Sequence, residues 1–75
     1  MEMIYIKLLN EGVNAWRPVA AEKISQDVFR IVEPQKSDEE WEFSSGKMVR
    51  CTTHMFADNK EGLVAIEEIT KNSYI

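Results

Sequence analysis

Much of the usual raw material for catalysis and cross-linking is scarce in this chain. It has one cysteine, Cys51, and one histidine, His54, among 75 residues. A lone thiol excludes an intramolecular disulfide, and two candidate ligands cannot complete the four-ligand cage of a structural zinc site. The three glycines, Gly12, Gly46 and Gly62, stand apart from one another. That spacing excludes a phosphate-cradling loop and a dinucleotide fingerprint. No apolar run approaches the roughly 18 residues needed to cross a bilayer, so no membrane partner is expected. Basic charge is also short: nine Lys and Arg stand against thirteen Asp and Glu, a formal net charge of −4. Phosphate contacts need a basic face, so this balance weighs against nucleic acid as a partner and leaves it open only as an alternative.

The size of the chain sets further bounds. Seventy-five residues make a single domain near the lower limit at which a core holds without disulfides or metal. Most apolar side chains are then needed for packing, and a homodimer interface would relieve the shortage. Met1-Glu2-Met3 leads directly into a strand-like run, unlike a basic, apolar signal segment, so a cytoplasmic location is expected.

Hydrophobic alternation supplies the elements. In residues 3–9, "MIYIKLL", Ile4, Ile6 and Leu8 share one face of a strand and Met3, Tyr5, Lys7 and Leu9 the other. Asn10 to Gly12 is turn chemistry. A second strand from Val13 to about Glu22 carries Trp16, Arg17 and Pro18 at its centre. Pro18 has no amide hydrogen for a ladder, so it belongs on an edge or at a bulge. Trp16 and Val19, three apart, fall on opposite faces of a regular strand; a bulge near Arg17-Pro18 would bring them together. A competing reading makes residues 19–27 a short helix, since Ala20, Ala21, Glu22 and Lys23 are good helix formers. Val28, Phe29, Ile31 and Val32 read as a third strand.

Residues 34–46 have the composition of a long acidic loop, with Pro34, Asp38, Glu39, Glu40 and Glu42 around Trp41. Lys47 to Phe56 is a fourth strand, with Val49, Cys51, Thr53 and Met55 on its inner face. Ala57 to Gly62 is a hairpin loop, Leu63 to Ile69 a fifth strand, and residues 70–75 a flexible tail. The expected class is all-β, a small five-stranded antiparallel SH3-like barrel. The alternatives are an oligonucleotide-binding-like barrel and an α+β fold with one short helix near residues 19–27.

No catalytic constellation emerges. Cys51 and His54 are three apart, so on a strand they point oppositely and the imidazole cannot deprotonate the thiol. The carboxylates of residues 38–42 lack the ligand spacing and central glycine of a calcium loop. Glu67 and Glu68 point to opposite faces and cannot work as an acid and base pair. No enzyme activity, cofactor or metal is therefore expected. What the chain offers is a surface. If Trp16 and Trp41 converge, they form a groove for a proline-rich segment or a basic or methylated side chain. The contrary possibility is that both tryptophans close the ends of the core. The expected function is a non-enzymatic protein-interaction module, alone or as a homodimer, with Trp16, Arg17 and Trp41 as the candidate contact residues for an unidentified protein partner. The alternative is a nucleic-acid or ribosome-associated barrel with Lys7, Arg17, Arg30, Lys47 and Arg50 as a basic stripe.

Across "YIKLLNEGVNAWRPVAAE" and "WEFSSGKMVRC" the chain resembles a group of short bacterial proteins of unassigned function. The likeness covers most of residues 3–67, through Glu11-Gly12, Trp16-Arg17-Pro18-Val19 and Trp41 to Gly46. It implies a bacterial cytoplasmic protein and supplies no ligand, activity or catalytic residue.

Overall fold

A computed structural model describes residues 1–11 and 15–70. It contains six strands and, among the described residues, no helix: β1 (Glu2–Leu9), β2 (Trp16–Lys23), β3 (Val28–Ile31), β4 (Glu40–Trp41), β5 (Met48–Met55) and β6 (Glu61–Glu68). No helix among these residues is long and apolar enough to cross a membrane.

The strands form one sheet in the order β2-β3-β5-β6-β1-β4, and an additional β1–β2 pairing closes a ring through β1, β2, β3, β5 and β6. Every pairing around this ring is antiparallel except β1–β6, which is parallel and rests on the single pair Tyr5–Val64. The all-antiparallel expectation is corrected here by parity: strand direction cannot alternate all the way around a ring of five, so one neighbouring pair must run the same way.

The interior follows the alternation of the strands. Ile4 and Ile6 of β1, Val19 and Ala21 of β2, Phe29 and Ile31 of β3, Trp41 of β4, Val49 and Cys51 of β5 and Ala65 of β6 form one buried cluster, with Leu8, Phe43 and Leu63 packed against it. No polar or charged residue is buried there among the described residues. Removing these side chains from water is the main term opposing chain entropy in so small a domain.

Three expectations are corrected. First, residues 19–27 do not form a helix: β2 runs to Lys23, and the chain then turns, with Ile24 and Ser25 donating to the Val28 carbonyl at 2.8 and 3.2 Å. Burial of Val19 and Ala21 on one strand face outweighs the local helix preference of "AAEK". Second, no bulge occurs at Arg17-Pro18. The register against β1 is continuous from Lys7–Trp16 to Glu2–Ala21. Pro18 is tolerated because of where its nitrogen points. The Ala20 amide and carbonyl, two residues on, turn away from β1 toward Glu33 and Val32. Strand periodicity aims the Pro18 nitrogen the same way, at an edge where no ladder bond is lost. Third, the acidic segment contains a sixth strand, β4, which pairs Leu8–Trp41 and Leu9–Glu40 along β1 beyond the β6 contact.

The start of the second strand expected at Val13, and the tail beyond Thr70, lie outside the described residues. Gly46 ends the acidic segment at φ +90°, a conformation that favours glycine, and donates its amide to Ile31 at 2.8 Å. A bulge does exist in the sheet, between β5 and β6. Arg50 pairs with Glu67 and Cys51 with Ala65, which leaves Ile66 as the extra residue.

Candidate functional site: an aromatic groove outside the ring

Because β2 is regular, the side chains of Trp16 and Arg17 go to opposite faces. Arg17 pairs with Ile6 on the inner face, and Trp16 pairs with Lys7 on the outer one. The three residues expected to act together are thus divided: Arg17 and Trp41 share one end of the core, and Trp16 lies across the sheet.

At the core end, Trp41 is 5% exposed and plugs the interior. Glu39 joins the three groups around it. Its Oε1 accepts from Arg17 Nε at 3.0 Å and from Trp41 Nε1 at 3.0 Å, and its other oxygen forms a tight ion pair with the Arg17 guanidinium. The Arg17 hydrogen bond, followed by that from Trp41, holds the Glu39 carboxyl down to about 2. With every charge matched, this arrangement closes the interior and leaves no free reactive group.

Across the sheet, Tyr5, Trp16, His54 and Phe56 pack ring against ring. Centroids lie 4.9 Å apart for Tyr5–Phe56, 5.6 Å for Trp16–His54, 6.1 Å for Trp16–Phe56 and 4.8 Å for His54–Phe56. The tilted and edge-on orientations suit the ring quadrupoles. Gly62, paired with His54, makes the arrangement possible. A Cβ there would meet Tyr5 Cε1 at 2.8 Å and Phe56 Cε2 at 2.9 Å, so the rings lie directly on the β6 backbone. Val64, next along the same outer face, is 3% exposed although it lies outside the main core cluster. Beside the rings runs an open groove of about 720 Å³, whose wall includes Met55, Asp58 and Lys60 as well as the four rings.

The reactive side chains lie apart. Cys51 is buried among the core residues and His54 is exposed on the outer face of the same strand. Burial, with a smaller contribution from Asp27, pushes the Cys51 thiol up to about 11. Among the described residues, no group of three or more acidic, histidine or cysteine side chains is placed to hold a metal ion.

Four of the five residues of the basic stripe are engaged by carboxylates: Arg17 by Glu39, Arg30 by Glu22, Lys47 by Glu68 at 3.5 Å and Arg50 by Glu67 at 3.0 Å.

Sequence reasoning set Tyr5 on the face of its strand opposite Ile4 and Ile6, and His54 with Phe56 on the face opposite Val49 and Cys51, but did not bring these rings together across strands or join them to Trp16. The signal was present in the parity of each strand. Without a bulge, Trp16 takes the outer face with Lys7 and Tyr5, while Thr52, His54 and Phe56 share the outer face of β5. Comparison with family models, with curated proteins and with solved structures finds no match to this chain.

Proposed function

We propose that this chain is a small cytoplasmic SH3-like barrel that serves as a non-enzymatic protein-interaction module, taking an extended proline-rich segment of a partner protein in the outer aromatic groove. The observation that carries this reading is the cluster of Tyr5, Trp16, His54 and Phe56 on the side of the sheet away from the core. A chain this short spends four large rings outside its main interior, and they border a groove whose charged neighbours, Asp58 and Lys60, balance. Proline-rich segments arrive pre-extended and dock on aromatic walls by ring stacking, which requires no net charge. The buried, poorly ionised Cys51 and its separation from His54 favour a binding role over nucleophilic chemistry. Neutralisation of most of the basic stripe weighs against the nucleic-acid alternative.

The test is titration with a polyproline peptide, followed by Trp16 fluorescence and by NMR shifts. Saturable shifts at Tyr5, Trp16 and Phe56, lost in Trp16→Ala with the fold retained, are expected. No shift at millimolar peptide would overturn the proline-rich assignment. Salt-sensitive binding of a single-stranded RNA at the same rings would transfer the groove to the alternative.

A further inference from the structure

Among the described residues, two of the stretches of strand that lack a neighbour on one side are treated differently by the sequence. One is the first half of β2, since β3 pairs with it only from Ala21 onward. This edge is obstructed. Pro18 has no amide to offer, the Ala20 amide is taken by the Glu33 carboxylate at 2.8 Å, and its carbonyl accepts from Val32 and Glu33 at 3.1 and 3.3 Å. Proline and inward-turned charge are devices that keep strand edges from pairing with other chains.

The other stretch is the end of β5, and it carries no such protection. β3 pairs with Met48, Val49 and Arg50, and the last bond on that side runs from the Cys51 amide to the Asp27 carbonyl at 2.8 Å. Farther along, the Phe56 amide turns to the opposite side and donates to Lys60 at 2.8 Å. Strand periodicity therefore directs the N–H and C=O of Thr53 and Met55 away from β6. No described residue pairs with them there. Thr52, Thr53, His54 and Met55 are all exposed, so this part of the ribbon projects from the body. None of the four carries a formal negative charge, a lysine or a proline.

We infer that two copies of the chain associate by antiparallel pairing of these β5 edges about a two-fold axis at His54. The segment is self-complementary in that register. Thr53 of each copy exchanges both backbone hydrogen bonds with Met55 of the other, which gives four bonds, and the two His54 residues face each other in the close, non-bonded position between them. The pairing also sets the two aromatic grooves side by side, since His54 and Phe56 belong to both the groove and the ribbon. The inference does not depend on the peptide-binding reading.

Sedimentation velocity from micromolar to millimolar protein tests it. The wild-type mass is expected to double with concentration. Thr53→Pro deletes only an amide that faces the open edge, so it should remain folded by circular dichroism and weaken dimerisation by at least about tenfold. Thr53→Lys should do the same through charge repulsion across the axis, and it decides the matter if the proline variant misfolds. His54→Cys should form a disulfide-linked dimer on mild oxidation, because residues facing each other in the non-bonded position have Cα atoms about 4.5 Å apart, within disulfide reach. A wild type that stays monomeric at millimolar concentration would overturn the inference. So would a dimer indifferent to Thr53→Lys, or one dissolved by Trp16→Ala alone, which would move the contact into the groove.

Discussion

Trp41 donates its indole hydrogen to the same Glu39 oxygen that accepts from Arg17 Nε, each across 3.0 Å. A carboxylate thus ties the plug of the core to the arginine beside it, and its ionisation is coupled to folding. The folded carboxyl is held down to about 2, below its ordinary 4.5, so the folded state favours the ionised form. The stabilisation is complete above about pH 4.5 and is lost as pH falls toward about 2. Glu39→Gln is expected to lower the thermal midpoint at pH 7 and to flatten its decline between pH 5 and pH 2. Some decline persists through Glu67, which Arg50 also holds low. Thermal denaturation of both proteins across that range measures the difference.

The two tryptophans should behave as opposites. Trp41 is nearly sealed, whereas Trp16 is half-buried on the outer face. Trp41→Ala is expected to cost about 3 to 5 kcal/mol in urea denaturation. That is a large part of the 4 to 11 kcal/mol or so that a domain of this size holds in total. Trp16→Ala should cost about 1 kcal/mol, in the ordinary range for a position outside the core. Acrylamide should quench the Trp16 emission and spare that of Trp41.

Gly62 separates the groove from the core in a single substitution. Gly62→Ala drives a methyl into the ends of the Tyr5 and Phe56 rings, 2.8 and 2.9 Å from the new carbon. Both rings can swing outward, so the expected cost is about 1 kcal/mol, at the low end for overpacking. The aromatic proton shifts of Tyr5 and Phe56 should change, while the methyl resonances of Ile4, Ile6 and Ile31 in the main cluster stay in place.

The thiol gives a direct reading of native packing. Cys51 is 4% exposed and is pushed up to about 11 by burial, so it should react slowly with a disulfide reagent at pH 8 and rapidly in denaturing urea. Since its folded value lies above the ordinary 9.0, the associated stabilisation is present below about pH 9 and disappears as pH rises through about 11. Cys51→Ala should remove that alkaline dependence.

The strands were legible wherever burial on one face imposed strict alternation. Ile4 and Ile6 in β1 and Val49 and Cys51 in β5 show this, and the opposite placement of Cys51 and His54 follows from it. Legibility failed where a long-range partner decided the outcome. Pro18 suggested a bulge because its local chemistry does not reveal that its nitrogen faces an empty edge. Glu40–Trp41 read as loop because two residues show no periodicity; only the exposed backbone of β1 makes them a strand. The groove was hidden for a related reason. Tyr5, Trp16 and Phe56 come from distant parts of the chain, and ring closure through β1 and β6 brings them together.

The one parallel joint, Tyr5–Val64, has a mechanical consequence. The β1–β2 joint is held by six residue pairs and the β5–β6 joint by seven, while β1 and β6 meet at one. By pairing this is the weakest joint of the ring, placed like the clasp of a bracelet. Tyr5 and Gly62 lie on either side of that clasp, so any parting of it would also lift a wall of the groove off the β6 backbone.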